Sequence, residues 1–275
     1  MITIDSTKCN HCKACEKVCP LMDFDLELTD FPAGCIKCYH CVAACKTGAL
    51  QKGGTIPEDR FQIDIHPEEM ELLISQRRTH RDFSNRKVAP ETLLEFISKL
   101  RYSPTASNCQ NLRFTVITSA QMIAKLNDMT TEELRYRFSK LNKFTLPFAA
   151  MKYGKGLTKL LTAKEKFMHK SSLNRNLITY NAPAVILVHA PDETATMPQL
   201  NAGIWTGMAL LYAELLDLGT CVNGYVVSAM KSNPTMKKTF QIPEEHQVLS
   251  CLLIGYPKDK YYRKAERNEP SINWI

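Results

Sequence analysis

Downstream of residue 66 the chain alternates between two hydrophobic rhythms. Pro67 opens a helix that runs to about Gln76, because proline suits the first helical turn and Glu68 and Glu69 favour its positive end. A second helix is predicted over Pro90–Leu100, with Leu93, Leu94, Ile97 and Leu100 on one face. A long apolar helix is predicted between Leu200 and Leu218, with Gly219 as its C-terminal stop. Branched residues predict strands at Arg113–Thr118, Ala184–His189, Cys221–Val227 and Gln247–Gly255. Helices and strands follow one another without a regular strand-helix-strand rhythm, so the expected class is α+β, built on a mixed sheet flanked by helices.

Upstream the pattern is different. Gln51-Lys52-Gly53-Gly54-Thr55 reads as a polar, glycine-paired hinge ahead of Pro57. The expected organisation is therefore a small domain over 1–54, a linker over 55–66 and a larger domain over 67–275. The longest apolar run, Ala182 to Val188, is strand-sized and far from the roughly 18 residues of a membrane span. Met1 to Asn10 is polar and carries no signal-peptide apolar region. A cytoplasmic protein without a membrane partner is the expectation.

Composition adds two outliers to an ordinary globular profile of 275 residues, 44% hydrophobic and 23% charged. The first is the charge, +7 overall. Residues 131–180 carry eleven Lys plus Arg against three Glu, so the excess describes one segment and not a basic protein. No nucleic-acid-binding motif accompanies it, and nucleic acid is not an expected partner. A solvated helical face, an anionic substrate and an acidic electron carrier are the readings it leaves.

The second outlier is cysteine. Eight of eleven cysteines lie between Cys9 and Cys45, in the order Cys9-x2-Cys12-x2-Cys15-x3-Cys19-Pro20 and then Cys35-x2-Cys38-x2-Cys41-x3-Cys45. Three thiolates two residues apart can wrap three irons of a cubane from one tight loop, and the fourth ligand then comes from the other copy of the repeat. Crossed ligation follows: Cys9, Cys12, Cys15 and Cys45 on one [4Fe–4S] cluster, and Cys35, Cys38, Cys41 and Cys19 on the other. A zinc ribbon would leave the third cysteine of each triplet idle. Segment 1–52 resembles a two-cluster bacterial-type ferredoxin. His11 and His40 fall in the cluster loops as tuning residues, and Cys109, Cys221 and Cys251 read as small hydrophobes.

In the larger domain no G-x-G-x-x-G follows a predicted strand and no G-x-x-x-x-G-K-[ST] occurs, so a Rossmann site is not supported. Arg77-Arg78-Thr79-His80-Arg81-Asp82-Phe83 is a cationic cluster with a hydroxyl, suited to a phosphate and a polar sugar chain. Ser103-Pro104-Thr105-Ala106-Ser107-Asn108-Cys109-Gln110 is a loop of small and amide residues that fits a flavin edge. These two motifs in order, with the strand-ending Gly255-Tyr256-Pro257 and the basic tail behind it, resemble the FMN-dependent nitroreductase family. With the cysteine block in front, the chain resembles the ferredoxin–nitroreductase fusion type.

That resemblance implies FMN contacts at Arg77, Arg78 and Thr79 around the phosphate and ribityl chain, Arg81 at the pyrimidine edge, and Asn108 and Gln110 at the ring edge. It further implies backbone of Asn223 and Gly224 near the reactive flavin nitrogen, and Arg267 closing the phosphate site. Phe144, Phe148 and Tyr153 are candidates for stacking on substrate. A homodimer is implied, with the apolar helix carrying Ile204, Trp205, Met208, Leu211 and Leu215 as its interface. The implied function is an iron–sulfur flavoprotein oxidoreductase that passes electrons from two [4Fe–4S] clusters to FMN and on to a small organic acceptor, a nitroaromatic, quinone or similar. NAD(P)H and a soluble ferredoxin or other acidic carrier are the candidate donors. A non-catalytic electron-transfer module, or a specialised reductase or dehalogenase on the same scaffold, are the alternatives.

Overall fold

The computed structural model describes residues 2–19, 21, 34–58, 62–142, 144–173 and 176–275; Pro20 lies outside them. The chain divides into two compact units, one comprising Met1–Ile65 with Ala106–Cys109 and the other His66–Thr105 with Gln110–Ile275.

In the first unit strand β1 (Ile2–Ile4) pairs antiparallel with β2 (Leu50–Lys52), Ile2 opposite Lys52. Short helices α1 (Ala14–Val18) and α2 (His40–Ala43) complete it, around a core of Ile2, Cys15, Cys41, Val42 and Leu50. The predicted hinge is a tight turn. Lys52 and Thr55 exchange backbone hydrogen bonds (3.0 and 3.1 Å), while Gly53 and Gly54 take φ of 58° and 80°, a conformation open to glycine at little cost.

The second unit is built on a four-stranded sheet of order β3 (Arg113–Ile117), β4 (Ala184–Pro191), β6 (His246–Gly255) and β5 (Gly219–Val222), each neighbouring pair antiparallel. One isolated parallel bridge joins Thr79, outside the strands, to Thr220 on the edge strand β5. Side chains alternate along the central strands. Val185, Leu187, Cys251 and Leu253 enter one core with α5 (Ala120–Ser139), α7 (Leu157–Ser172) and α9 (Gly224–Ser232). Ala184, Ile186, Val188, Leu252 and Ile254 enter a second core with α4 (Pro90–Lys99) and α8 (Pro198–Glu214). Both faces of the sheet are thus covered, which is why Ala184–Val188 reads as an unbroken apolar run. The remaining helices are α3 (Pro67–Gln76), α6 (Leu146–Tyr153) and α10 (Pro234–Thr239). Among the described residues no helix is long and apolar enough to cross a membrane.

Two elements differ from the sequence expectation. The strand expected over Cys221–Val227 ends at Val222, and helix α9 starts at Gly224. The Asn223 carboxamide accepts from the N–H groups of Tyr225 (3.0 Å) and Val226 (3.2 Å), and this N-cap overrides the strand preference of the valines. The long apolar helix spans Pro198–Glu214, and Trp205 sits at 1% exposure against Phe96 and Phe114 in the core. Leu200 and Met208 on this helix are exposed, as is Leu215 at its C-cap.

A bulge between Val188 and His189 sets His189 under the sheet rim, where Nδ1 meets His246 Nδ1 (2.8 Å) and Nε2 meets the Thr115 hydroxyl (3.2 Å). Burial first, then the charge of His246 and Arg113, depress its pKa to about 4. Above about pH 6.5 the ring is neutral in both folded and unfolded chains and contributes no pH dependence. Between about 6.5 and 4 the unfolded chain takes up a proton that the folded chain does not, so stability falls with falling pH, by at most about 3 kcal/mol. Urea unfolding of His189→Gln is expected to lose this part of the acid slope; an unchanged slope would refute the assignment.

Candidate functional site

The cysteine repeat appears in the backbone as well as in the sequence. Residues flanking the middle cysteine of each triplet are left-handed: His11 (φ 54°) and Lys13 (φ 59°) around Cys12, Lys37 (φ 53°) and Tyr39 (φ 58°) around Cys38. Such conformations are uncommon for residues with a Cβ, and here they recur at the same two places in both triplet loops. One cavity is lined by Cys9, Cys12, Cys15 and Cys45, and a second by Cys19, Cys35, Cys38 and Cys41. Each triplet thus stands with the last cysteine of the other copy. The sulfurs also receive backbone donors. Leu50 N–H points at Cys45 Sγ (3.4 Å) and Lys37 N–H at Cys35 Sγ (3.4 Å). Burial raises the pKa of Cys15 and Cys41. For Cys45 burial also acts upward, but hydrogen bonds from Leu50 and the Thr47 hydroxyl outweigh it and the thiol is lowered. Eight thiols in two equivalent sets, with N–H donors aimed at sulfur, suit two iron–sulfur clusters.

In the second unit, residues 77–84 leave helix α3 and run beside the sheet. His80 N–H donates to Thr220 (2.9 Å), Ser84 N–H to Tyr256 (2.8 Å), and Lys258 N–H returns to Asp82 (2.9 Å). This pairing brings the C-terminal tail alongside the cationic motif. A cavity of about 360 Å³ opens there, lined by Arg78, His80, Glu214, Tyr261, Arg263 and Lys264 among others. The Tyr261 hydroxyl donates to the Thr79 carbonyl (3.0 Å), and His80 Nδ1 pairs with Asp259 (2.8 Å). Burial would raise the Asp259 carboxyl, yet hydrogen bonds from His80, Arg81 and Tyr261 hold it below its ordinary value.

Arg78 is the informative residue. Its guanidinium Nη1 donates to the carbonyls of Ser75 and Arg77, both at 2.8 Å, which fixes the fork. Its Nη2 is buried and has no hydrogen-bond partner among the described residues. A buried guanidinium N–H without an acceptor is costly, and a phosphate in the adjoining cavity would satisfy it. Glu214 lines the same cavity, with Oε1 engaged by the Arg78 N–H (3.3 Å). The residues present therefore fit a phosphate-bearing cofactor.

The other expected contacts fall as follows. Arg77 is half-buried at the end of α3, and Arg81 is exposed, its guanidinium interacting with Tyr180 and Cys221. Asn223 is 4% exposed; besides capping α9 it donates through Nδ2 to the Ile178 carbonyl (2.5 Å) and through N–H to that of Cys251 (2.8 Å). Around Gly224 there is open space where a side chain would stand. Gln110 has φ 45° and donates its N–H to the Thr105 hydroxyl (3.1 Å). Asn108 belongs to the first unit, where Nδ2 donates to the carbonyls of Ile36 (3.1 Å) and Lys37 (3.0 Å). Arg267 is exposed, donates to the Glu266 carbonyl (2.9 Å), and is not among the residues lining the phosphate-sized cavity. Arg263 and Lys264 are, and sequence reasoning missed them; the basic run 258–264 was the available signal. Phe144 and Phe148 are 88% and 71% exposed, and the Tyr153 side chain lies outside those described. Cys221 and Cys251 are buried in the core, where burial pushes both thiols up.

Residues 74–256 match the model of the nitroreductase family, and residues 1–46 that of the 4Fe-4S dicluster domain. An uncharacterized protein of Methanocaldococcus jannaschii is 39% identical over 49 residues, 18% of this chain, and the match spans 20% of that relative's length. A nitroreductase with bound FMN from Bacteroides fragilis aligns at TM-score 0.57 and 15% identity, over 75% of this chain and 98% of its own. A second, from Desulfitobacterium hafniense and also with bound FMN, aligns at TM-score 0.56 and 17% identity, over 77% and 100%. At this identity the two structures establish the fold.

Proposed function

Because the chain belongs to the nitroreductase family and carries an N-terminal 4Fe-4S dicluster domain, we propose that it is an iron–sulfur flavoprotein oxidoreductase acting on a small organic acceptor. When bound, two [4Fe–4S] clusters would supply one-electron chemistry and FMN two-electron chemistry toward a nitroaromatic, quinone or similar acceptor. Everything else falls to the protein. Cys9, Cys12, Cys15 and Cys45 hold one cluster, and Cys19, Cys35, Cys38 and Cys41 the other, in a domain over 1–54 joined by residues 55–66 to the flavin domain over 67–275. Arg77, Arg78 and Thr79 hold the phosphate and ribityl chain, with Arg263 and Lys264 adding charge. Arg81 stabilises negative charge at the pyrimidine edge. Gly224 admits the ring because it has no side chain to exclude it. Two copies associate through α8 and its C-cap, where Leu200, Met208 and Leu215 are exposed.

The observation that carries this reading is the buried Nη2 of Arg78, without a partner among the described residues, on a residue that lines a cationic cavity. Protein purified anaerobically is expected to contain about eight irons, as two cubanes require, and one FMN per chain. Its chromophores should bleach with NAD(P)H or reduced ferredoxin and recover on addition of a nitroarene. Absence of FMN would sink the enzyme reading. Cys45→Ala is expected to disrupt the cluster of the first triplet and leave the other, with about half of the cluster absorbance lost. Loss of both, or of neither, would refute the crossed assignment.

A further inference from the structure

A second cavity of about 420 Å³ lies along helix α7, apart from the phosphate-sized one, and the fold's function as so far described does not use it. Its rim carries Lys159, Lys166 and Lys170, and its wall Phe167, Tyr180 and Tyr225. Phe167 forms the floor at 4% exposure, its ring 5.9 Å from that of Tyr225. Lys164, on the same helix, braces the fold by donating to the Leu141 carbonyl (2.5 Å). The three rim lysines form no ion pair among the described residues. Lys166 and Lys170 stand four residues apart, an arrangement of like charges that disfavours the helix unless an anion offsets it. A merely solvated face would be convex and would not recess an aromatic floor beneath its charges. Tyr225 adjoins Gly224, where the flavin reading brings cofactor and backbone together.

We infer that this cavity is the acceptor site and that it selects acceptors with an aromatic body and an anionic substituent. Phe167, Tyr180 and Tyr225 would take the ring, and the lysine rim the negative charge. The inference rests on the flavoenzyme reading, of which it specifies the substrate class. A protein carrier is the less favoured occupant, because the aromatic floor is recessed in a cavity sized for a small molecule.

The test uses the holoprotein with 4-nitrobenzoate and its neutral methyl ester, which share ring and nitro group. Equilibrium dialysis of the oxidised holoprotein is expected to give about tenfold tighter binding of the acid at low salt, with the advantage shrinking in 0.5 M KCl, roughly fivefold the ionic strength of a 10 Å Debye length. In dithionite-reduced protein each nitro group should take two electrons and two protons to give nitroso and water, with the acid again preferred. In Lys159→Gln/Lys166→Gln/Lys170→Gln the acid-to-ester ratio is expected to fall to about one, with FMN content retained. No preference in the wild type, or a preference insensitive to salt or kept in the variant, would overturn the inference. So would loss of FMN from the variant, which would make the lysines flavin ligands, or a defect confined to electron delivery by reduced ferredoxin. Failure to reduce either probe would instead refute the oxidoreductase reading, while dialysis still decides the anion site.

Discussion

Arg78→Gln is expected to weaken FMN retention about 100-fold and to abolish flavin-dependent turnover in dilute protein, while iron content stays at the wild-type level. The guanidinium fork is held by the Ser75 and Arg77 carbonyls, which leaves Nη2 buried at the cationic cavity. A charge-assisted hydrogen bond contributes roughly 1.5–3 kcal/mol, and each 1.36 kcal/mol is a factor of ten, so one lost phosphate contact accounts for the effect. Glutamine is too short to keep both the carbonyl bonds and the cavity contact. Arg78→Lys should fall between, since it keeps the charge without the planar fork. Fluorescence of FMN released on dilution measures the outcome. Retention equal to wild type in Arg78→Gln would remove Arg78 from the cofactor site.

Gly255→Ala is expected to destabilise the second unit by about 3 kcal/mol or more. A Cβ at Gly255 would stand 2.4 Å from Pro183 Cδ, 2.6 Å from its Cγ and 3.1 Å from Phe83 Cδ1. A proline ring cannot rotate away, and Phe83 is fully buried. Relief would have to come from the backbone of β6 or the entry to β4, at the centre of the sheet. A urea unfolding free energy within about 0.5 kcal/mol of wild type would show that Pro183 yields more easily than its packing implies. The glycine in Gly255-Tyr256-Pro257 is thus explained by close packing at a strand end, with no need for a flavin contact.

How far the site could be read in advance depended on the range of the interactions. The three cysteines of each triplet lie within one loop, and their spacing carries the cluster chemistry directly. Arg77-Arg78-Thr79 is likewise a local cationic run with a hydroxyl. Arg263 and Lys264 did not stand out, because what brings them to Arg78 is the pairing of Ser84 with Tyr256 and Asp82 with Lys258. The strand expected over Cys221–Val227 failed for a related reason. Valine preference is weak beside an N-cap, and Asn223 is anchored from outside the segment by Ile178 and Cys251.

The charge segment 131–180 shows the same division. Composition showed that the excess was local, but eleven cations in a row of helices could not say which were idle. Folding separates Lys164, spent on Leu141, from Lys159, Lys166 and Lys170, which rim a cavity with an aromatic floor. By itself, then, the sequence determined the two-part organisation, the cysteine repeat and the cationic run at Arg77–Arg81, because each is written in residues close along the chain. Only the tertiary structure decided which tail residues meet Arg78, why Gly255 must be glycine, and which lysines surround one cavity. Those depend on contacts between residues far apart in sequence, set by strand register and by the packing of both sheet faces.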